Sequence, residues 1–123
     1  MKQHSPRFLT FVADCKKQIQ EITPHRLKDM LDHNEPMLLI DVREDHEWSL
    51  GHISTATHLS KGIIERDIEK KCPDLQRKMV VYCSGGFRSA LVANSLQQMG
   101  YTQVYSLSSG LQGWVDAGFS LDK

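Results

Sequence analysis

Cys83 is the side chain in this sequence best placed to act as a nucleophile. It closes the apolar run Met79-Val80-Val81-Tyr82 and opens the polar stretch Ser84-Gly85-Gly86-Phe87-Arg88-Ser89. Gly85 and Gly86 let the backbone curl, because glycine tolerates positive φ and close approach. Curled in this way, the amides from about Gly85 through Ser89 can aim at one point and form an anion nest. A helix that starts near Phe87 adds its own unsatisfied N–H groups and the positive end of its dipole. A nest of this kind favours a thiolate over a thiol. Arg88 brings a positive charge, and the Ser89 hydroxyl brings one more donor. The competing description is a buried, inert cysteine beside a plain Gly-Gly connection. The arginine and the strand–loop–helix setting favour the nucleophile.

Asp41, Arg43, Glu47 and His52 form a second group that resembles a catalytic cluster. For Asp41 and Arg43 the favoured role is instead an ion pair that holds loops at the strand ends, with Arg43 reaching a pocket rim. Histidine is the side chain that ordinarily titrates near neutral pH, which makes His52 a candidate base. A thiolate already formed needs no base, so a hydrogen bond from His52 to backbone is the expectation. His46, His52 and His58 recur every six residues, which fits neither a helix face nor a usual metal spacing. No metal and no cofactor are expected. Trp48 and Trp114 read as core or pocket-wall aromatics. Phe87 is expected at the pocket mouth, where it can shape the choice of donor or partner.

The elements that must position Cys83 follow from the hydrophobic pattern. "MLLID" (37–41), "MVVYC" (79–83) and "QVYSL" (103–107) are short apolar runs of the kind that form buried parallel strands, and "ATHL" (56–59) is a candidate fourth. Thr23-Pro24 starts a helix with Leu27, Met30 and Leu31 on one face and Asn34 as its stop. Further helices are expected over 44–50, around Ile63, Ile64 and Ile68, through Val92, Ala93, Leu96 and Met99, and over 110–118. Alternating strands and helices predict an α/β fold, a central mostly parallel sheet with helices on both faces. Ligands bind beyond the carboxyl ends of such strands, where Cys83 and Asp41 both fall.

The N-terminal "FLTFVADC" bears a faint likeness to a lipoprotein signal. Its apolar run is too short, and Asp14 stands where a small residue should precede the cysteine. An amphipathic helix over 6–20 fits better. Ser5 caps it, Pro6 opens it, and Phe8, Phe11, Val12, Cys15 and Ile19 form its stripe. Two parts are therefore expected, a helical extension over 1–21 and a domain over 22–123.

Fifteen basic residues balance fifteen acidic ones, so charge supplies no case for nucleic-acid or membrane partners. Three cysteines at wide, irregular spacings form neither a disulfide framework nor a zinc motif, as befits a reducing, cytoplasmic compartment. Cys15 reads as core. Cys72, beside Lys70, Lys71 and Pro73, reads as a residue near the surface.

From Ile22 onward the chain resembles a single-domain rhodanese, a sulfurtransferase. "ITPHRLKDML" resembles the family's opening helix, and "LLIDVREDHEWSLGHISTA" (38–56) resembles its Asp-x-Arg…Glu…Gly-His-Ile…Ala signature. "VVYCSGGFRSA" resembles the active-site loop and "LSSGLQGW" (107–114) the C-terminal glycine–tryptophan region. Leu111 replaces one glycine of the usual pair, and Ser54-Thr55 stands where many members carry Pro-Gly. The resemblance implies that Cys83 takes sulfur from a donor such as thiosulfate or a persulfide. It then passes the sulfur to cyanide, a thiol or a protein acceptor. Cys72 is a candidate resolving thiol for a persulfide on Cys83. Phosphatases and arsenate reductases of related fold carry one residue more between cysteine and arginine than the four here. The shorter loop suits one sulfur atom better than a tetrahedral oxyanion.

Overall fold

The computed structural model describes residues 3–123. Met1 and Lys2, the first two residues of the expected extension, lie outside it. Five strands form one parallel sheet: β1 (Gln20–Ile22), β2 (Leu38–Asp41), β3 (Thr57–His58), β4 (Met79–Tyr82) and β5 (Val104–Leu107). Their spatial order is β1-β5-β4-β2-β3. β4 is central, with Asp41 of β2 opposite Tyr82 and Val81 opposite Ser106 of β5. All carboxyl ends therefore share one edge of the sheet.

Strand alternation divides the core into two layers. Met79, Val81 and Cys83 point into one cluster with Ile40, Ile64, Ile68, Val92 and Leu96. Val80 and Tyr82 point into the other, with Leu27, Met30, Leu107 and Trp114. The first layer is roofed by α4 (Ile64–Lys71) and α5 (Phe87–Gln98), and the second by α2 (Pro24–Asp32) and α6 (Gly110–Asp116). α3 (Asp45–Leu50) sits at the carboxyl edge beyond β2.

Local signals account for the boundaries. The Thr23 side chain accepts a hydrogen bond from the Arg26 amide at 3.1 Å, and Pro24 follows as the first helical residue of α2. Asn34 adopts φ 53° just past the end of that helix, the left-handed position that stops it.

The N-terminal helix differs from its expected form. α1 (Pro6–Lys16) ends four residues earlier than the pattern suggests, and Gln20–Ile22 pairs with β5 as an edge strand. Only three residues long and exposed at two of them, β1 has too little hydrophobic signal to be read from the sequence. The division expected between residues 21 and 22 lies within it. Ser5 makes no side-chain cap, and Phe11 is 58% exposed. Val12 and Cys15 are the residues that α1 buries, because the helix packs on α5 rather than on the sheet. Asn94 donates to the Cys15 sulfur at 3.6 Å, and Gln97 donates to the Gln18 carbonyl at 2.7 Å.

Cys72 also differs from expectation, being 3% exposed within the first core layer. As the residue that closes α4, Cys72 turns its thiol to the Asp74 carbonyl at 3.5 Å, while Tyr101 donates to the Cys72 carbonyl at 2.6 Å. Burial pushes the Cys72 thiol up, away from thiolate chemistry.

Candidate active site

The loop after β4 folds over its own cysteine. The Gly86 amide donates to Cys83 Sγ at 3.2 Å, and the Ser89 amide does so at 3.3 Å. Ser89 Oγ lies 3.5 Å from the sulfur and 2.7 Å from Ser106 Oγ, with both serines fully buried. When the sulfur is ionised, Ser89 donates to it and Ser106 donates to Ser89. Ser106 has no counterpart in the sequence-based candidates. It stands on β5 far along the chain, and only the β4–β5 pairing brings it beneath the sulfur.

The curl of this loop requires glycine at a close approach. Gly86 has φ 94°, and a Cβ there would run into the Ser108 carbonyl. Across the same junction, the amides of Leu111 and Gln112 in the first turn of α6 donate to the Cys83 and Ser84 carbonyls at 2.8 and 3.0 Å. Those carbonyls therefore turn toward α6, away from the sulfur.

Arg88 does not stand free. Its guanidinium makes a two-pronged pair with Glu47, at 2.7 and 3.0 Å, and donates to Ser84 Oγ at 3.2 Å. Ser84 Oγ donates to Glu47 in turn, at 3.1 Å. Glu47 is the third residue of α3, and its carboxylate also accepts from the Glu44 amide at 3.0 Å in a capping box. The Arg88 hydrogen bonds, foremost among its surroundings, hold the Glu47 carboxyl at about 2. Sequence reasoning grouped Glu47 with Asp41, Arg43 and His52 and did not place it beside Arg88. The Glu44-x-x-Glu47 spacing is the signal that locates it at the first turn of a helix on the carboxyl edge.

The rest of that group lies behind the site. Arg43 Nε donates to both Asp41 carboxylate oxygens at 3.1 Å, and Nη2 donates to Oδ2 at 2.8 Å. Nη2 also donates to the Gly51 carbonyl at 2.7 Å, which ties the chain after α3 to β2. Arg43 is 5% exposed and Asp41 is fully buried, so this pair supports the site from beneath. Neither reaches the cleft rim. His52 lies within hydrogen-bonding reach of the Trp48 carbonyl through Nδ1, at 3.2 Å, and its ring stacks on Trp48 at 3.5 Å. His58 stacks near the same indole at 5.0 Å and contacts the Arg43 carbonyl at 2.7 Å through Nε2. Trp114 is core, 4% exposed.

A cleft of about 780 Å3 opens over Cys83, with Glu47, Ser84, Phe87 and Arg88 among its lining residues. Phe87 lines it together with His4 and Phe8 from the start of the chain. A second groove of about 480 Å3, lined in part by Leu38, Leu39 and Arg77, lies at the opposite edge of the sheet and contains no cysteine or histidine.

A cysteine cradled by loop amides after a central parallel strand is the architecture of the Rhodanese-like domain family, which matches residues 23–117. The chain belongs to that family. It is 34% identical over 97 residues to the putative sulfurtransferase YtwF of Bacillus subtilis, covering 79% of this chain and 91% of that one. With the thiosulfate sulfurtransferase GlpE of Actinobacillus pleuropneumoniae it shares 29% identity over 102 residues, 83% of this chain and 92% of that one. The probable adenylyltransferase/sulfurtransferase MoeZ of Mycobacterium tuberculosis is 32% identical over 111 residues; these are 88% of this chain but only 28% of the length of MoeZ. Among solved structures, the polysulfide-sulfur transferase homodimer of Wolinella succinogenes superposes with a TM-score of 0.80 at 26% identity, over 94% of this chain and 87% of that one. A Rhodopseudomonas palustris protein described as a possible tyrosine phosphatase gives a TM-score of 0.83 at 24% identity, over 99% of both chains, a likeness of fold alone. No described helix is long and apolar enough to cross a membrane.

Proposed function

We propose that this protein is a sulfurtransferase that carries sulfane sulfur as a persulfide on Cys83. The observation that carries the proposal is the seat of Cys83 Sγ, which accepts from the Gly86 and Ser89 amides at the floor of an open cleft. Two amides and a hydroxyl around one sulfur stabilise negative charge on it without any base. With thiosulfate as donor, the Cys83 thiolate attacks the outer sulfur and a new S–S bond forms. The old S–S bond breaks, and its electron pair leaves with sulfite. The charge that remains on the terminal sulfur of the persulfide lies in the cleft. A thiophilic acceptor, such as cyanide or a thiol, then attacks that terminal sulfur, and the Cys83 thiolate departs. Neither step needs a metal or a redox cofactor.

Phosphoryl transfer fits this loop less well. An arginine serving a phosphoryl group must turn its fork to the substrate. Here the fork of Arg88 is filled by Glu47 and Ser84. Residues 22–123 supply the chemistry, and α1 is an addition packed on α5. A cytoplasmic, reducing location is consistent with three free cysteines.

Intact-protein mass spectrometry after treatment with thiosulfate or polysulfide tests the proposal. One added sulfur is expected in the wild type, in Cys15→Ser and in Cys72→Ser, and none in Cys83→Ser. A wild-type protein that gains no sulfur from either donor refutes it.

A further inference from the structure

One wall of the cleft over Cys83 is built from chain outside the residues that match the family. His4 and Phe8 precede residue 23, where that match begins. Their rings meet Phe87, with centroids 4.5 Å apart for His4–Phe87, 5.3 Å for His4–Phe8 and 6.1 Å for Phe8–Phe87. Lys16 Nζ lies 5.6 Å from the Phe87 centroid and 3.8 Å from Glu21, so it braces the wall from α1. The three rings form one aromatic surface beside the sulfur.

The charge of the cleft favours the same kind of occupant. Among the described residues that line it, Arg88 is the only lysine or arginine, and Glu47 already matches its charge. Among those described lining residues, a dianion approaching the Cys83 thiolate meets like charge and no unpaired lysine or arginine. Size agrees. Thiosulfate occupies roughly 100 Å3, a few times the ~30 Å3 of a water molecule. The cleft, at about 780 Å3, falls within the range that holds drug-sized ligands.

We propose that the preferred substrates are a low-molecular-weight organic thiol and its persulfide, with an aryl or alkyl body lying against His4, Phe8 and Phe87. The proposal deepens the sulfurtransferase function above and rests on it. In the loading step, the Cys83 thiolate attacks the outer sulfur of R–S–SH. The Cys83–sulfur bond forms, the bond within R–S–SH breaks, the proton stays on the transferred sulfur, and R–S⁻ leaves with the electron pair. Unloading is the reverse, onto a second thiolate of the same class.

Full-length protein is loaded on Cys83 with polysulfide, freed of excess donor and checked for one added sulfur by mass spectrometry. Loss of that sulfur is then timed with equal concentrations of phenylmethanethiol, 2-mercaptoethanol or glutathione, the last a charged peptide thiol. Phenylmethanethiol is expected to react about tenfold faster than either, as partial burial of one phenyl ring implies. Phe8→Ala should bring the ratio toward one. His4→Ala, which leaves α1 and its buried Val12 and Cys15 intact, should lower it about threefold. A wild-type ratio of one or less overturns the inference alone, whether 2-mercaptoethanol keeps pace or glutathione is faster. A Cys83 that takes no sulfur from polysulfide refutes the sulfurtransferase function, and this inference with it.

Discussion

Glu47→Gln removes one charge from the site and leaves its shape nearly unchanged. Glutamine still serves at the third position of a capping box, so α3 keeps its start. What is lost is the ionic half of the Arg88 pair. The Glu47 carboxyl is held at about 2 rather than 4.5, chiefly by its Arg88 hydrogen bonds. At 1.36 kcal/mol per tenfold change in protonation, that difference amounts to about 3 kcal/mol in a dry site. The Glu47 side chain is 22% exposed and that of Arg88 30%, so solvent screening reduces it. About 1–2 kcal/mol is the expected loss at pH 7. The sign follows from the depressed value. A carboxyl whose folded pKa lies below its unfolded one stabilises fully above the unfolded value, and that contribution is lost as pH falls toward the folded one. The window therefore runs from about 4.5 down to 2. Urea unfolding of wild type and Glu47→Gln, followed by tryptophan fluorescence, should show the gap at pH 7 shrinking to well under half at pH 3.5, the fraction that linkage gives for a contribution of about 1–2 kcal/mol. A gap of the same size at both pH values would mean that the loss is steric. No gap at pH 7 would mean that the pair contributes nothing.

Two further substitutions probe the frame around the site. Arg43→Ala leaves the Asp41 carboxylate buried without its partner and frees the Gly51 carbonyl, so a loss of about 3–5 kcal/mol is expected in the same urea titration. A loss under 1 kcal/mol would show that water readily replaces the guanidinium. Thr55 holds φ 74°, a conformation that strains a β-branched residue and suits glycine. Thr55→Gly should raise the melting temperature by about 3 °C, and a fall would show that the Thr55 side chain contributes more than its strain costs.

Much of the site was legible because its members are local. Cys83 through Ser89 are consecutive, and the strand, the glycines and the helix start around them each leave a mark on the sequence. The structure folds that stretch into a cradle, with donors at Gly86 and Ser89. The Asp41–Arg43 pair was legible for the same reason, since a single residue separates its members. The α/β class followed from apolar runs alternating with amphipathic ones. β1 escaped because it borrows its strand character from pairing with β5 rather than from its own residues. Cys72 was misplaced because its charged neighbours suggested the surface. Its burial beside Ile68, Leu96 and Tyr101 is a tertiary fact.

The partners of Arg88 and the walls of the cleft are of another kind. Arg88 and Glu47 are 41 residues apart, and Phe8 and Phe87 are 79 apart. No local pattern couples positions at such distances. Their meeting depends on where α3 and α1 come to rest once both core layers have packed. By itself, the sequence determined the cysteine at the end of the central strand, its loop and the parallel sheet that presents them, because backbone propensity and hydrophobic period act over a few residues. Only the tertiary structure decided that Arg88 is already neutralised and that an aromatic wall stands beside the sulfur. Charge pairing and cavity shape are set by which surfaces pack together, and packing joins residues without regard to their separation along the chain.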